Sequence, residues 1–373
     1  MLVVLLSQLA CDPGTAKPPA AVCGVAVGEI CTTAGSGLPG LGGDGLAATD
    51  THLYLPQDLT FGPDGDAYVL DWNNHKIRAL RPDGTMEVVA GSGLLGDGPE
   101  GPALAAAFNH PTNITFAADG TMTIAAWHNS RIVSIDLSTG LLSYVCGDGT
   151  RSFAGDGGPC LVAKLDLPSS VAYDSAGRLY ISDMANQRIR RVTEGIIETW
   201  GFDGAAGYGG DGGPVAAAEM HATKGQAAYP ANRLVILDGT LYLADTENHR
   251  IRAVDLDTDI IDCIGGNGIA GYSGDGGPAL EASFRAPRDL AMGWDGELYV
   301  ADTDNHCVRR IASDGTVDTV AGQCGEFGYE GDSGSAVDAL LYSPYGVEVD
   351  PDGNLWIADT WNQVIRKVVI QTP

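Results

Sequence analysis

One short phrase, Asp-x-x-Asn-His/Gln-x-Ile/Val-Arg, recurs along this chain at nearly constant spacing. Complete copies occupy residues 71–78, 183–190, 245–252, 302–309 and 359–366, and an eroded copy at 126–133 keeps only Asn129 and Ile132. Successive copies start 55 to 62 residues apart. A period of this size is typical of repeat proteins, in which each copy is one supersecondary unit. The repeat pattern therefore predicts one continuous body of repeated units rather than two unrelated domains.

Each period contains four strand-like segments. In the first unit these are residues 57–61, 66–70, 76–80 and 86–90, and turn sequences such as Gly-Pro-Asp-Gly at 62–65 separate them. Short strands with turn signals every ~8–12 residues are typical of all-β arrays, and four-stranded units repeated radially make a β-propeller. The predicted fold class is all-β, a six-bladed β-propeller of four-stranded antiparallel blades.

The two ends of the chain complement each other. After the sixth copy, residues 364–370 supply a third strand and the sequence stops soon afterwards. The missing fourth strand has a match near the start, because Cys-Thr-Thr-Ala-Gly at 31–35 parallels Glu-Val-Val-Ala-Gly at 87–91. We therefore predict that residues near 29–34 complete the last blade and close the ring, leaving no open strand edge at the seam. The predicted propeller domain spans residues 21–373.

The repeated phrase, the Gly-Asp-Gly-Gly-Pro loops and strand openings such as Pro-Tyr-Gly-Val at 344–347 resemble the NHL-repeat family of six-bladed propellers. The resemblance covers roughly residues 29–370. The loop at 270–279 is similar to loops of the NHL propellers in large surface proteins such as teneurins and in many exported bacterial proteins. Because those propellers mostly serve recognition, the resemblance implies a binding module.

Charge and the first residues bear on location. The formal net charge of −27 argues against nucleic acid and anionic membrane surfaces as partners, since both attract positive faces. Residues 1–20 are predicted to be a leader and linker, with an apolar stretch ending at Cys11 that resembles a lipoprotein signal. We therefore expect export to the cell envelope or beyond, with Cys11 lipidated, although a plain secretory signal or a tail stays open.

Cysteine content supports export, because disulfides persist in oxidising compartments. Seven cysteines remain when Cys11 is set aside. Cys146 ends an outer strand and Cys160 lies in the following loop, so this pair is the first candidate disulfide. Pairs 23–31 and 307–324 are further alternatives, because sequence alone does not fix connectivity.

The repeated polar residues have a simple structural interpretation. The Asp and Asn of each phrase follow the second strand, where such side chains accept backbone N–H hydrogen bonds in turns. The Arg of each phrase lies on the third strand and is expected to pair with a carboxylate. His75, His249 and His306 share one slot in different blades, so they cannot converge on one metal. We interpret all of these residues as scaffold, and the Gly-Asp-Gly loops as turns rather than calcium sites.

One slot does converge on the ring axis. Two residues after each strand-opening proline the chain carries mostly polar side chains, including Asp58, Asn113, Asn232 and Asp289. Carboxylate and amide oxygens suit a divalent cation such as calcium, and gluconolactonase-type propellers hold a metal with a similar mixture. These four are the candidate metal ligands, with His110, Arg288 and Tyr345 flanking them as candidate ligand-binding residues. The alternatives are strand caps or a hydrated channel, with no cofactor.

Irregular positions point to a partner surface. The eroded second copy carries Trp127 and His128, and Trp72 and Trp361 occupy similar turns. Aromatic side chains offer large rigid contact area, and a longer loop before Pro230 contains His221. We therefore predict a module that binds a protein, peptide or glycan, possessing no assigned catalytic residue. The alternative is a metal-dependent, lactonase-like hydrolase or lyase at the channel mouth, and packing of the tryptophans between blades stays open.

Overall fold

Short antiparallel strands make up nearly all of the regular structure. A computed structural model describes residues 26–225 and 228–370. Within these ranges, thirty strands form six sheets of five, and each sheet is one blade of a closed ring. The predicted all-β, six-bladed propeller is confirmed. We number the blades 1 to 6 in chain order and their strands from the axis outward.

The strands of each class occupy equivalent positions in the six blades. The inner strands are Pro56–Phe61, Asn113–Phe116, Pro168–Tyr173, Leu234–Leu237, Pro287–Met292 and Gly346–Val349. The second strands are Ala67–Asp71, Met122–Ala126, Leu179–Asp183, Thr240–Asp245, Leu298–Asp302 and Leu355–Asp359. The third strands are Lys76–Leu80, Arg131–Asp136, Arg188–Thr193, Arg250–Asp255, Cys307–Ile311 and Val364–Val368. The fourth strands are Thr85–Ala90, Leu141–Cys146, Ile196–Gly201, Ile260–Gly265, Thr316–Ala321 and, for blade 6, Glu29–Ala34.

Each blade carries a short fifth strand that the sequence did not predict. These two-residue strands are Leu46–Ala47, Gly101–Pro102, Gly158–Pro159, Gly213–Pro214, Gly277–Pro278 and Gly334–Ser335. Each lies in the loop that enters its blade and pairs with the fourth strand of that blade. The prediction of four-stranded blades is therefore corrected to five. Gly and Pro are depleted in strands, and Pro is tolerated only where no ladder N–H is needed, as at this outer edge.

Two sets of one-turn 3-10 helices complete the repeat. One set follows the second strands, at Trp72–Asn74, Trp127–Asn129, Met184–Asn186, Thr246–Asn248, Thr303–Asn305 and Thr360–Asn362. The other follows the fifth strands, at Ala48–Asp50, Ala103–Ala105, Cys160–Val162, Val215–Ala217, Ala279–Glu281 and Ala336–Asp338. The turns of the first set and the loops entering the inner strands lie on one face of the ring, which we call the upper face.

The ring closes as the sequence predicted. Strand Glu29–Ala34 pairs antiparallel with Val364–Val368, with Ile30 opposite Val368 and Thr32 opposite Arg366. Ile30 and Ala34 are fully buried. Blade 6 therefore combines strands from both ends of the described chain, so neither end can leave without opening the ring.

Apolar packing lies between neighbouring blades rather than within them. One cluster joins Leu70 and Ile77 of blade 1 to Ile114 and Ile124 of blade 2. The cluster at the closing blade joins Ile365 to Leu59. Because side chains of a strand alternate between its two faces, one face of each sheet packs on the preceding blade and the other face on the following blade. The core is thus continuous around the ring.

The repeated Asp, Asn and Arg form one buried network in each complete copy. In blade 1, Arg78 Nε donates to Asp71 at 2.7 Å, and Asn74 donates to the same carboxylate at 2.8 Å. The other Asp oxygen accepts the Tyr54 backbone N–H at 2.8 Å. Asp71 and Arg78 are fully buried. The predicted structural role of these residues, turn capping and ion pairing, is confirmed.

In blades 3 to 6, the aspartates of the Gly-Asp-Gly loops face the same arginines. Arg252 contacts Asp211 at 2.6 Å, and Arg309 contacts Asp275 at 2.6 Å. Blades 3 and 6 repeat the contact, with distances of 2.5 Å for Arg190 and 2.7 Å for Arg366. These carboxylates are therefore engaged by guanidinium groups, which agrees with a structural interpretation of the loops.

The histidine slot also serves blade packing. His75, His249 and His306 have left-handed backbone conformations, with φ between 54° and 61°. The His249 ring accepts a hydrogen bond from the Ala286 N–H, and the His306 ring accepts one from the Ser343 N–H. In both pairs the donor belongs to the next blade. The slot thus connects neighbouring blades, as the scaffold interpretation predicts.

The structure tests part of the cysteine prediction. Disulfides join Cys146 to Cys160 and Cys307 to Cys324, which confirms the first pair and one of the alternatives. Cys263 is a free, half-buried thiol. Cys11, Cys23 and the predicted leader at 1–20 lie outside the described residues. Among those described, no helix is long and apolar enough to cross a bilayer.

Candidate functional site

The polar slot on the axis is a ring of caps between neighbouring blades. The Asp58 carboxylate accepts the N–H of Ile114 at 2.7 Å, and the Asn113 amide oxygen accepts the N–H of Val171 at 2.7 Å. Ser170 and Asp289 repeat the contact towards blades 4 and 6. These four side chains therefore fix the start of the next inner strand, which is one of the alternatives the sequence left open.

In blade 4 the slot belongs to Arg233 rather than Asn232. Every slot residue directly precedes the apolar residue that begins the buried part of its strand. In blade 4 the apolar residue is Leu234, so the slot residue is Arg233. Counting from the opening proline selects Asn232 because blade 4 has one extra residue there. Asn232 instead hydrogen bonds with Thr246 of its own blade. The prediction that Asn232 lies in the axial slot is therefore wrong.

Arg233 crosses the axis and joins opposite blades. Its Nε donates to Asp289 at 2.9 Å, and a second nitrogen forms an ion pair with Asp58. A third contact runs from Nη1 to the Thr112 carbonyl oxygen at 2.8 Å. All three ionic side chains are buried. The guanidinium therefore saturates the carboxylates that the sequence assigned to a metal.

Burial sets the protonation of the axial carboxyl groups. It raises the pKa of Asp58 to about 6, against the lowering effect of Arg233. Glu348, one layer further along the axis, has its pKa raised to about 8, first by burial and then by Asp289 and Asp58. Burial by itself would lower the pKa of Arg233, but the two aspartates raise it overall. At neutral pH the axis therefore holds a mostly ionised Asp58 beside the Arg233 guanidinium, and a largely protonated Glu348.

The geometry does not fit the predicted divalent cation. Calcium takes roughly 6–8 oxygen ligands, whereas Asp58 and Asp289 already surround a guanidinium and Asn113 donates its amide N–H to Asp58 at 3.0 Å. Across the described residues, no group of three or more His, Cys, Asp or Glu side chains is arranged to hold a metal ion. A metal-dependent reaction at this position is therefore not favoured.

Arg233 divides the channel into two spaces. The lower cavity has a volume of about 150 Å³ and runs from Arg233 towards the ends of the inner strands, past Thr60, Thr115 and Glu348. The upper space is only about 20 Å³, lined by residues that include Arg233, Arg288 and Tyr345. The predicted channel mouth on the upper face is thus nearly filled.

Arg288 and Tyr345 contribute to this closure. Arg288 donates to the Pro230 carbonyl oxygen at 2.7 Å, and its guanidinium lies 4.9 Å from the centre of the Tyr345 ring and 5.6 Å from that of Tyr229. These contacts attach the long loop before Pro230 to blades 5 and 6. The loop explains why the upper entrance is small.

His110 belongs to a histidine cluster at blades 1 and 2. Its Nδ1 lies 3.2 Å from Nδ1 of His128, and its backbone N–H points to the His75 ring at 3.4 Å. Burial lowers the pKa of His110 and of His128 to about 4. The rings are therefore neutral at physiological pH and pack as a polar–aromatic group with Trp72, whose ring centre lies 4.5 Å from that of His110.

The structure separates the candidate partner residues. Trp127 is only 1% exposed and packs against Leu167 and Met184 of blade 3. The prediction that Trp127 offers a contact surface is therefore wrong, and the alternative of packing between blades holds. Trp72, His128 and His221 are half-buried, and the His221 backbone N–H donates to the Asp245 carboxylate. Trp361 is 41% exposed.

Trp361 is part of an exposed aromatic ladder on the upper face. Phe327 and Tyr342 stack with ring centres 4.8 Å apart, and Tyr342 lies 5.6 Å from Trp361. Phe327 is 59% exposed, and the half-buried His306 ring packs against it at 5.3 Å. We call Phe327, Tyr342 and Trp361 the upper ladder. Sequence reasoning missed Phe327 and Tyr342 because they lie in different segments that only the fold brings together.

Comparison with known proteins agrees with this fold and repeat. The family model described as NHL repeat matches residues 53–80 and 284–311, which include the Asp-x-x-Asn phrases of blades 1 and 5. The chain thus carries NHL repeats and folds as a six-bladed β-propeller. This confirms the resemblance that the repeated phrase and the loops predict.

Relatives of this NHL propeller include very long proteins. It is 25% identical to human Teneurin-1 over 365 residues and 28% identical to Teneurin-m of Drosophila melanogaster over 359 residues. The alignments cover 86% and 87% of this chain but only 12% of each teneurin. A solved structure, an auxiliary nutrient binding protein from Bacteroides thetaiotaomicron, superposes with a TM-score of 0.64 at 17% identity, covering 91% of this chain and 75% of that chain. The last likeness shows the fold alone.

Glu348 should make stability depend on pH. Its pKa in the folded protein, about 8, lies above the ordinary value of 4.5, so its contribution is complete below 4.5 and is lost as pH rises through 8. The free energy of unfolding of the unmodified protein should therefore fall between about pH 5 and pH 9. In Glu348→Gln we expect this fall to be smaller by roughly 1–3 kcal/mol. Urea unfolding at both pH values measures this. Glu247→Gln on the upper face is the control, and an unchanged slope in Glu348→Gln would contradict the assignment.

Proposed function

We propose that this NHL propeller is an exported module that binds another molecule at the cell envelope or outside the cell. The partner is a protein, peptide or glycan that contacts the upper face. The observation that carries the proposal is the upper ladder, Phe327, Tyr342 and Trp361. Phe327 and Trp361 are solvent-exposed and pack on either side of the half-buried Tyr342, whereas Trp127 on the same face is covered.

The ladder suits recognition for a physical reason. Stacked rings are held by one another and lose little conformational freedom when a partner packs on them, so more of the contact energy appears as affinity. Aromatic side chains also dominate binding hot spots, because each buries a large apolar area. Tyr342 adds a hydroxyl, which allows a polar contact beside the apolar one.

Three further observations support the proposal. The two disulfides among the described residues suit an oxidising compartment. The solved relative named an auxiliary nutrient binding protein shares the fold, and teneurins share the repeat. The net charge of −27 favours partners that are neutral or basic, and it disfavours nucleic acid.

A paired tryptophan experiment tests the proposal. We expect Trp361→Ala to weaken binding to the best ligand found on glycan and peptide arrays by at least about tenfold, as hot-spot truncations do. Trp294→Ala is the control, because Trp294 is 73% exposed but lies between the inner and second strands of blade 5, on the opposite face. Equal losses in both variants, or no loss with Trp361→Ala, would contradict the proposal.

A further inference from the structure

The lower cavity has two chemically different halves. Two residues beyond the axial slot, each inner strand places one side chain at the next layer, namely Thr60, Thr115, Ala172, Val235, Ala291 and Glu348. The polar members belong to blades 6, 1 and 2, which are neighbours in the ring. The apolar members belong to blades 3, 4 and 5. The layer is therefore polar along one side and apolar along the other.

The polar half has unused hydrogen-bonding capacity. Within the described residues, the Thr60 and Thr115 hydroxyls make no hydrogen bond, and the Glu348 carboxyl accepts only the Val349 N–H at 3.1 Å. All three side chains line the cavity and are half-buried. By contrast, the layer above is saturated, because Arg233 and Asn113 use their polar atoms within the protein.

The surrounding charges favour a cation. Glu348 faces Asp289 of blade 5, Asp58 of blade 1 and Arg233 of blade 4. From blade 3 the cavity meets the Tyr173 phenol, which hydrogen bonds with Thr123 at 3.0 Å. Three carboxyl groups and one guanidinium therefore surround the space. A neutral ligand would leave that excess uncompensated once Glu348 is ionised.

We propose that the lower cavity binds the ammonium group of a short primary amine. Glu348, Thr60 and Thr115 accept its three N–H donors, which is the number that an ammonium group carries. The hydrocarbon part of the amine lies against Ala172 and Val235, which line the same cavity. The volume of about 150 Å³ equals roughly five waters at about 30 Å³ each, which fits a ligand of about four or five heavy atoms.

Binding of this ligand is linked to protons. Glu348 carries its proton at neutral pH, because burial and the two aspartates raise its pKa to about 8. An ammonium group binds best when that proton has left, so the affinity rises from about pH 6 to about pH 9. Above roughly pH 10 the amine itself loses its charge and the affinity falls. The site is separate from the upper ladder, so either proposal can fail alone.

Calorimetric titration of the full chain with n-propylammonium chloride at about pH 8.5 tests the inference. The expected result is saturable binding that the neutral isostere n-propanol does not show. Glu348→Gln should weaken binding at least about tenfold, since bonds to charged groups are the stronger class. Glu247→Gln on the upper face should bind as the unmodified protein does.

A second variant protects the test against a folding defect. Thr60→Val/Thr115→Val keeps the side-chain shape and removes both hydroxyl acceptors, so we expect a loss of about tenfold with an unchanged melting temperature. No saturable binding of n-propylammonium in the tens of millimolar would overturn the inference. Equal binding of n-propanol would also overturn it, as would unchanged affinity in both the Glu348 and the threonine variants.

Discussion

Replacing Asp71 with Ala is expected to lower the free energy of unfolding by about 3–5 kcal/mol. This is the usual loss when one partner of a buried ion pair is removed and the other charge stays buried without compensation. Asp71 is the one carboxylate within 4.0 Å of Arg78 among the described residues, and both are fully buried. The remaining contacts of the guanidinium are to the carbonyl oxygens of Gly42 and Gly43, each at 3.3 Å. Urea unfolding of the variant measures the loss.

Asp302→Ala in blade 5 is the matched control. Asp302 occupies the same position in its blade. It accepts the equivalent hydrogen bonds from the backbone N–H of Arg285 and the side-chain amide of Asn305. Its partner Arg309 keeps a second carboxylate, Asp275, at 2.6 Å. We therefore expect Asp302→Ala to cost about 1–2 kcal/mol less than Asp71→Ala. Equal losses would contradict the view that the loop aspartates neutralise the buried arginines.

Arg233→Met should have an effect of similar size through a different route. The variant leaves Asp58 and Asp289 buried around one axis without the guanidinium that joins them. We expect a loss of about 3–5 kcal/mol at pH ~7.5, because uncompensated buried charges are strongly destabilising. Arg288→Met is the comparison, since Arg288 is also buried but forms no ion pair within the described residues, and it should cost less.

The loss in Arg233→Met should shrink in acid. Without the cation, burial and mutual repulsion raise the pKa of the two aspartates above their unfolded values. A raised carboxyl pKa gives stability that is present at low pH and lost as pH rises through the folded pKa. The difference between variant and unmodified protein is therefore expected to be smaller at about pH 5 than at about pH 8. A difference independent of pH would exclude this explanation.

Much of the fold could be predicted because the determinants repeat. Six copies of one phrase locate the same turns in every blade, and the match between residues 31–35 and 87–91 locates the closing strand. The Asp–Arg pairs follow from seven-residue spacing on adjacent strands, and the Cys146–Cys160 bond from a strand and its following loop. The fifth strands were missed, since five of the six are two-residue segments containing Gly or Pro that pair only through tertiary context.

The candidate site was less predictable because it depends on departures from the repeat. One extra residue in blade 4 moves Arg233 into the slot, and alignment on the apolar residue that follows would have found it. Glu348 stands where other blades have Thr, Ala or Val, and inspection of every second inner-strand residue would have revealed it. The upper ladder has no such signal, because its three rings come from separate loops.

Amide hydrogen exchange on the full chain tests the closed ring most directly. Strand Glu29–Ala34 lies between Gly334–Ser335 and Val364–Val368 in one sheet. Strands of one cooperative sheet open together, so we expect the hydrogen-bonded amides of residues 29–34 to exchange as slowly as those of residues 364–368. Exchange of residues 29–34 within seconds, while residues 364–368 stay protected, would show that the two ends of the chain do not share a blade.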